Sequence, residues 1–283
     1  MGYISTENHM FDGKKIGFIG AGNMGSVLIR GLIQSGDVNK ADIFVSDANK
    51  NRLTEITDAC GVEAVESNIE LVNKADIVVI GVKPHHVDAL LDEISQTSRA
   101  GQIFVSIVAG TPVDKFLSRL NPESGVIRVM PNTPASVLAG AAAIYVASRN
   151  IPDEDLARIV TIFVCTGKLV PIYDEALMDA VTGLSGSGPA YVFLAIEALT
   201  DAGVQQGIPR KEASLLAAQT VYGAAKMLLE TGKSPVELKD MVTTPGGTTA
   251  AGLRMLEKGN FRSAIMDAVE AAARRSRELR SAG

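Results

Sequence analysis

The sequence is short of the residues that metals and disulfides need. It holds 2 cysteines and 3 histidines in 283 residues. Cys60 and Cys165 stand far apart with no Cys-x-x-Cys, which indicates neither a zinc site nor a disulfide framework. His9, His85 and His86 have no supporting cysteine or carboxylate pattern, so no metal site is expected. No apolar run reaches the ~20 residues needed to cross a bilayer, and no charged-then-apolar segment opens the chain as an export signal would. A membrane partner is therefore not expected, and a reducing cytoplasm is the default compartment. An excess of positive charge is missing too. Lys+Arg number 27 against 32 Asp+Glu, for a net charge of −5, and this balance argues against nucleic acid as a partner.

What the chain does have is apolar content, 46% of residues, enough for a sizeable core in one or two domains. Residues 1–13 are polar and unpatterned. They are read as a disordered leader outside the fold. The sequence IGFIGAGNMG at 16–25 follows. Its first four residues predict a buried parallel strand. Gly20, Gly22 and Gly25 then open an amphipathic helix carrying Val27, Leu28, Leu32 and Ile33. Phosphate chemistry asks for this spacing. One glycine makes a tight turn, the next lets backbone reach a pyrophosphate, and the third lets helix pack on strand. The helix N-terminus presents N–H groups and a partial positive charge, so Ala21, Asn23 and Met24 join the glycines in the candidate cradle. A second strand, 43–46, ends at Ser46 and Asp47. A carboxylate there ordinarily bonds the ribose 2′-OH of NAD. Ser46, Asn49, Lys50 and Arg52 together suit a 2′-phosphate, with Asp47 turned away, so both cofactors stay open.

Further along, Ser67 and Asn68 cap a helix, with a cofactor contact the second reading of Asn68. Residues 77–82 form a continuous apolar run typical of a strand buried on both faces. It leads through Gly81 and Val82 to Lys83 and Pro84. Strands over 102–108 and 125–130 end in turn-rich segments, the first containing Val108, Ala109 and Gly110, the second Asn132 and Thr133. Such carboxyl ends face the ligand crevice of a doubly wound sheet. Asn132 either orients a ligand or holds a turn between two prolines. Strands over 140–146 and 168–170, around a helix over 152–165, complete an α/β domain spanning 14–172.

From residue 173 the strand signals stop, and an all-helical domain is expected over 173–283. Its longest helix, 210–230, is apolar on more than one face. So small a domain has limited room to bury it, which implies that a second subunit helps. The last helix, 262–279, is expected to turn Ile265, Met266, Ala268, Val269, Ala272 and Ala273 inward. Between these helices lies TTPGGTT, 243–249. Pro-Gly-Gly sets a tight turn, and Thr248 or Thr249 begins a helix whose bare N–H groups suit a carboxylate.

These residues resemble the pyrroline-5-carboxylate reductase family over nearly everything after the leader. The likeness rests on IGFIGAGNMG, VKP at 82–84, VMPNTP at 129–134, TGLSGSGPAYVF at 182–193, and above all PVELKDMVTTPGGTTAAGLRMLE at 235–257. The resemblance implies a Rossmann-like doubly wound sheet followed by an all-helical dimerisation domain. It implies a homodimer, with larger rings of dimers in the family, and hydride transfer from NADPH, with NADH the alternative. The substrate would be 1-pyrroline-5-carboxylate and the product L-proline. It places the substrate carboxylate on Gly246, Gly247 and Thr248, the ring nitrogen on Thr249 as the catalytic group, and a further substrate contact on Glu175. Cofactor contacts carry over to Asn68, to Gly81, Val82, Lys83 and Pro84, and to Val108, Ala109 and Gly110. Two other readings compete: a 3-hydroxyacid-type dehydrogenase, which needs a helical-domain lysine in a glycine-rich motif absent here, and a non-catalytic dinucleotide sensor.

Overall fold

The computed structural model describes residues 10–11, 13–148 and 150–282, without the side chains of 281 and 282. The rest of the expected leader, 1–9 and 12, lies outside the described residues. Phe11 does not fit that expectation. It is 1% exposed and sits in the hydrophobic core, while the Met10 carbonyl accepts a hydrogen bond from Arg158 Nε.

The chain divides into two compact units. The first takes 1–186 together with 272–283, and the second takes 187–271. The sequence places the change at 172/173, where strands give way to helices. Residues 173–186 nevertheless stay with the sheet, and so does the far end of the last helix.

The first unit is built on eight strands: β1 (Ile16–Ile19), β2 (Ile43–Ser46), β3 (Glu63–Ala64), β4 (Ile77–Ile80), β5 (Ile103–Ser106), β6 (Gly125–Met130), β7 (Gly140–Val146) and β8 (Gly167–Pro171). Their order is β3-β2-β1-β4-β5-β6-β7-β8. All neighbours run parallel except β6 and β7. β1 pairs with both β2 and β4, so the chain reverses its direction of travel across the sheet at β1. That is the topological switch point where doubly wound folds bind ligands. The helices are α1 (Asn23–Ser35), α2 (Lys50–Cys60), α3 (Asn68–Lys74), α4 (Val87–Ile94), α5 (Val113–Leu117), α6 (Asp153–Val164) and α7 (Met178–Val181), the last running into a π-helical turn, Thr182–Gly186.

Strand alternation explains the two cores. Phe18, Val45, Val79, Val105 and Ile127 pack on one face of the sheet. Ile19, Phe44, Ile80, Phe104 and Val126 pack on the other. Residues of β1, β2, β4 and β5 are buried at every position, which is why they read as unbroken apolar runs.

The second unit holds α8 (Gly188–Gln205), α9 (Arg210–Thr231), α10 (Pro235–Met241), α11 (Thr248–Lys258) and the greater part of α12 (Phe261–Ala282). α8 and α9 make a helical hairpin in which Gly203 lies against Ala213. Tyr191 Oη of α8 donates to the Ala268 carbonyl of α12 at 3.4 Å. α10 opens on a capping box: the Ser234 hydroxyl accepts from the Glu237 N–H, and the Glu237 carboxylate accepts from the Ser234 N–H. Those bonds hold the Glu237 carboxyl below its usual range.

In this chain α9 buries only Ala213 and Ala217, although its sequence is apolar on several sides. Met266 of α12, expected to face inward, is 70% exposed. No helix among the described residues is long and apolar enough to cross a membrane.

Candidate active site

The β1–α1 turn is a bare cradle. Gly22 is the N-cap of α1 and provides no side-chain cap. The first intrahelical partner is Ser26 N–H on the Gly22 carbonyl, which leaves the N–H groups of Asn23, Met24 and Gly25 without helical acceptors. Gly20 has φ +104°, and a Cβ there would come within 2.8 Å of the Gly81 carbonyl oxygen. A Cβ on Gly25 would collide with the Gly20 carbonyl. On Gly22 it would meet nothing within 4 Å, so the space above the cradle is open. A pyrophosphate fits this arrangement of donors and space.

The neighbouring turns are tied together by backbone. Gly20 N–H donates to Ser46 O, and Gly81 N–H donates to Ile19 O, each at 2.8 Å. Gly81 and Val82 are half-buried, and Lys83 is exposed. Pro84 starts a short 3-10 turn, Pro84–His86. The His85 and His86 rings lie tilted at 53° to one another, with centroids 4.1 Å apart. After β5, Val108 is buried, Ala109 exposed and Gly110 half-buried.

Three polar residues assigned from sequence turn out to have structural partners. Asp47 Oδ2 accepts from Ala21 N–H and Oδ1 from Asn49 N–H, both at 2.7 Å. The carboxylate therefore faces the glycine loop and clamps it to the end of β2. Asn68 accepts from Ser46 Oγ at 2.8 Å and donates to Glu93 Oε2 at 2.8 Å. The cap of α3 is Ser67 alone. Asn132 is 8% exposed. Its Nδ2 donates to Ser185 O, and its Oδ1 accepts from Ala141 N–H, so it staples the end of β6 to the π-turn and to β7.

Beside the cradle, Asn23, Ser26, Arg30, Arg52 and Glu55 line a cavity of about 130 Å³ that reaches Ala21 and Gly22. Arg30 was not singled out from sequence. It lies on the polar side of α1, and its only sequence signal is a cation two turns into a phosphate-binding helix. Among the described residues no three His, Cys, Asp or Glu side chains cluster as a metal site would require.

Glu175 belongs to the first unit, whereas Gly246, Gly247, Thr248 and Thr249 belong to the second. Glu175 Oε1 accepts from Arg128 Nη1 at 2.8 Å and from Val113 N–H at 2.9 Å. Sequence reading missed Arg128. Its signal is a lone charge inside an otherwise apolar strand, GVIRVM, 1% exposed. In the second unit Gly246 turns at φ +69°, and Gly247 N–H donates to Thr244 O at 3.0 Å. Gly247 is the N-cap of α11 and offers no side-chain cap. Thr243 Oγ1 donates to Lys239 O at 2.7 Å. The hydroxyls of Thr248 and Thr249 make no hydrogen bond among the described residues.

A bare glycine cradle on the first βαβ unit of a doubly wound sheet places the chain among the dinucleotide-binding proteins. Comparison with known proteins narrows this. The family described as NADP oxidoreductase, coenzyme F420-dependent, matches residues 15–110, and the one described as pyrroline-5-carboxylate reductase dimerisation matches 175–279. A curated pyrroline-5-carboxylate reductase from Methanosarcina acetivorans is 44% identical, covering 95% of this chain and 98% of that one. The solved pyrroline-5-carboxylate reductase of Coxiella burnetii superimposes with TM-score 0.88 at 36% identity, over 94% of this chain and 98% of the other. That of Plasmodium falciparum, with NADP bound, gives 0.84 at 34% identity over 95% and 99%. The chain belongs to the pyrroline-5-carboxylate reductase family.

Proposed function

We propose that the chain reduces 1-pyrroline-5-carboxylate to L-proline with NADPH, as a homodimer in the cytoplasm. The bare start of α11 carries the proposal. It combines free backbone donors with two unengaged threonine hydroxyls on a loop that has no structural need of them. The N–H groups of Thr248 and Thr249, at the positive end of an 11-residue helix, suit the substrate carboxylate. Gly247 keeps the approach open.

The α1 cradle holds the pyrophosphate of the cofactor. The dihydronicotinamide, when bound, supplies a hydride. The substrate C=N, protonated as an iminium, takes that hydride on carbon and becomes the secondary amine of proline. The Thr249 hydroxyl accepts a hydrogen bond from the iminium N–H and orients the ring. No strong acid is required, because the imine is already electrophilic. Holding the two reactants in line is worth up to roughly 7–11 kcal/mol. Arg30 and Arg52, lining the cavity beside the cradle, favour the 2′-phosphate of NADPH over the bare ribose of NADH. Asp47 keeps its negative charge while bonding backbone N–H groups, and the two arginines would offset it.

A second copy of the chain covers the exposed apolar side chains of α9. The larger ring of dimers that the family resemblance implies is proposed as an extension of this pair.

The test is a steady-state assay with pyrroline-5-carboxylate, run with NADPH and NADH in parallel. Proline formation with a higher kcat/KM for NADPH is expected. Thr249→Ala is expected to lower kcat by about 10–100-fold, the range of a lost positioning or proton-transfer contact, with an unchanged circular dichroism spectrum. No oxidation of either cofactor, from a folded chain that still binds dinucleotide, would sink the proposal and put a non-catalytic sensor in its place.

A further inference from the structure

A guanidinium inside a buried strand is costly unless it is paired and hydrogen-bonded. Arg128 is 1% exposed on β6. Its Nη1 donates to Glu175 Oε1 at 2.8 Å, while Nη2 is buried with no hydrogen-bond partner among the described residues. Glu175 is therefore its anchor, and the same oxygen takes a second donor, Val113 N–H at 2.9 Å. Val113 is the first residue of α5, and its N-cap is Pro112, which offers no side-chain acceptor. The bond that satisfies this N–H comes from a carboxylate 62 residues further along the chain.

That bond closes one end of the turn after β5. The other end is closed by Ser106, which stands opposite Arg128 in the sheet. The Ser106 hydroxyl accepts from Val108 N–H at 3.3 Å. The middle of the turn is backed by α12: a Cβ built on Gly110 would lie 3.5 Å from Leu279 Cβ and 3.8 Å from Ser276 O. The end of α12 is fastened in turn by Asp179, which is fully buried. Ser276 Oγ donates to Asp179 Oδ1 at 2.7 Å. Arg280 Nη1 lies 3.1 Å from Oδ2, close enough for an ion pair but off line for a hydrogen bond. Glu175 and Asp179 are one helical turn apart, so one short segment grips both the turn and the helix that backs it.

We propose that Arg128 and Glu175 are a positioning pair for hydride transfer, fixing the backbone of Val108, Ala109 and Gly110 against which the nicotinamide rests. This rests on the proposed function and on the family resemblance, which makes that turn a cofactor contact. It differs from the role the family resemblance gives Glu175, a direct hold on the substrate. Both bonds fall on Oε1, which ties that oxygen to the turn and leaves Oε2 for the experiment to decide.

The experiment compares the full chain with Glu175→Gln, Arg128→Met and Arg128→Lys, using NADPH and NADPH deuterated at the transferred position. Glu175→Gln keeps the shape and an acceptor for Val113 but removes the countercharge of Arg128. It is expected to lower kcat by about tenfold, within the up to roughly 10²-fold cost of a small misplacement. The KM for the imine stays within about twofold, and the deuterium isotope effect on kcat rises as hydride transfer becomes slower than product release. Arg128→Lys restores the charge and recovers part of the kcat lost in Arg128→Met. If Arg128→Met does not fold, Glu175→Gln alone decides.

A higher KM for the imine with unchanged kcat overturns the proposal and returns Glu175 to the substrate. Unchanged kcat and isotope effect in the folded variants remove both residues from positioning while leaving the function standing. An inactive parent chain overturns the proposed function and the positioning role together.

Discussion

In the first unit, β1, β2, β4 and β5 are buried at every residue and hydrophobic clusters fill both faces of the sheet. In the second, Leu215, Tyr222 and Leu229 stand 70%, 58% and 73% exposed at seven-residue intervals along α9, which puts them on one face. Phe193 and Leu194 of α8 are 64% and 67% exposed. The first unit closes its core within one chain. The second presents a stripe of large apolar side chains that stays exposed among the described residues. The difference teaches that the glycine cradle is built by one chain, whereas the helical unit, which matches a dimerisation family over 175–279, leaves apolar side chains for the proposed second copy to cover.

The stripe is where that comparison breaks most easily. Burial of each large apolar side chain contributes about 1.5–3 kcal/mol. Leu215→Glu with Leu229→Glu is therefore expected to convert the dimer to monomer in sedimentation velocity and to lower activity by about 100-fold or more. A variant that stays dimeric and active would place the interface elsewhere.

The glycines of the first unit sharpen it. Gly25→Ala forces a Cβ into the Gly20 carbonyl and is expected to cost about 1–3 kcal/mol, as overpacking does, seen as a lower melting temperature. Gly22→Ala has room in the protein. It is expected to leave the melting temperature alone and to weaken dinucleotide binding by about tenfold, because the methyl occupies phosphate space. Equal effects of the two on stability would contradict the cradle geometry.

Asp47 gives a smaller contrast. As a clamp on Ala21 N–H, its replacement by alanine should lower kcat/KM for NADPH and NADH by a similar factor, about 3–10-fold for one charge-assisted hydrogen bond. Selective loss with NADH would make Asp47 a ribose anchor.

The smallest effect concerns Cys165, whose thiol burial pushes up to about 11. At pH 8 the thiolate is scarce, so alkylation of the native chain by iodoacetamide should be slow and should speed up on unfolding. Rapid native alkylation of Cys165 would show that its sulfur, which lies against Gly31 of α1, is reached by solvent without unfolding.

Much of this was legible in sequence. β1, β2, β6 and β7 lie where the apolar runs put them, since runs of apolar residues bounded by turn residues mark strands whether or not one of them carries a charge, as β6 does at Arg128. The helices from 188 onward also follow their patterns. What did not show was pairing across distance. Glu175 entered as a substrate contact only through the family resemblance, and nothing local reveals its bonds to Arg128 and Val113. Asn132 stayed open between a ligand and a turn, and Asp47 between a ribose contact and a carboxylate turned away, because the Ser185, Ala141 and Ala21 backbone groups that bond them are distant in sequence. Phe11 looked like part of a leader because one apolar residue carries no period. The unit boundary at 186/187 was missed because the segment from 173 is helical in pattern yet gripped by the sheet through Glu175 and Asp179. Met266 shows the converse: a helical apolar stripe states that a face will be covered, not by which chain.

The return of α12 to the first unit has a consequence for synthesis. Asp179 is buried in the finished fold, yet Ser276, which satisfies it, is made 97 residues later. At roughly 5–20 residues per second, the ribosome leaves that carboxylate without its partners for some seconds after the sheet has emerged. The nascent α/β unit is thus complete in its strands but not in its charges. The last turns of α12 act as a latch that closes behind it.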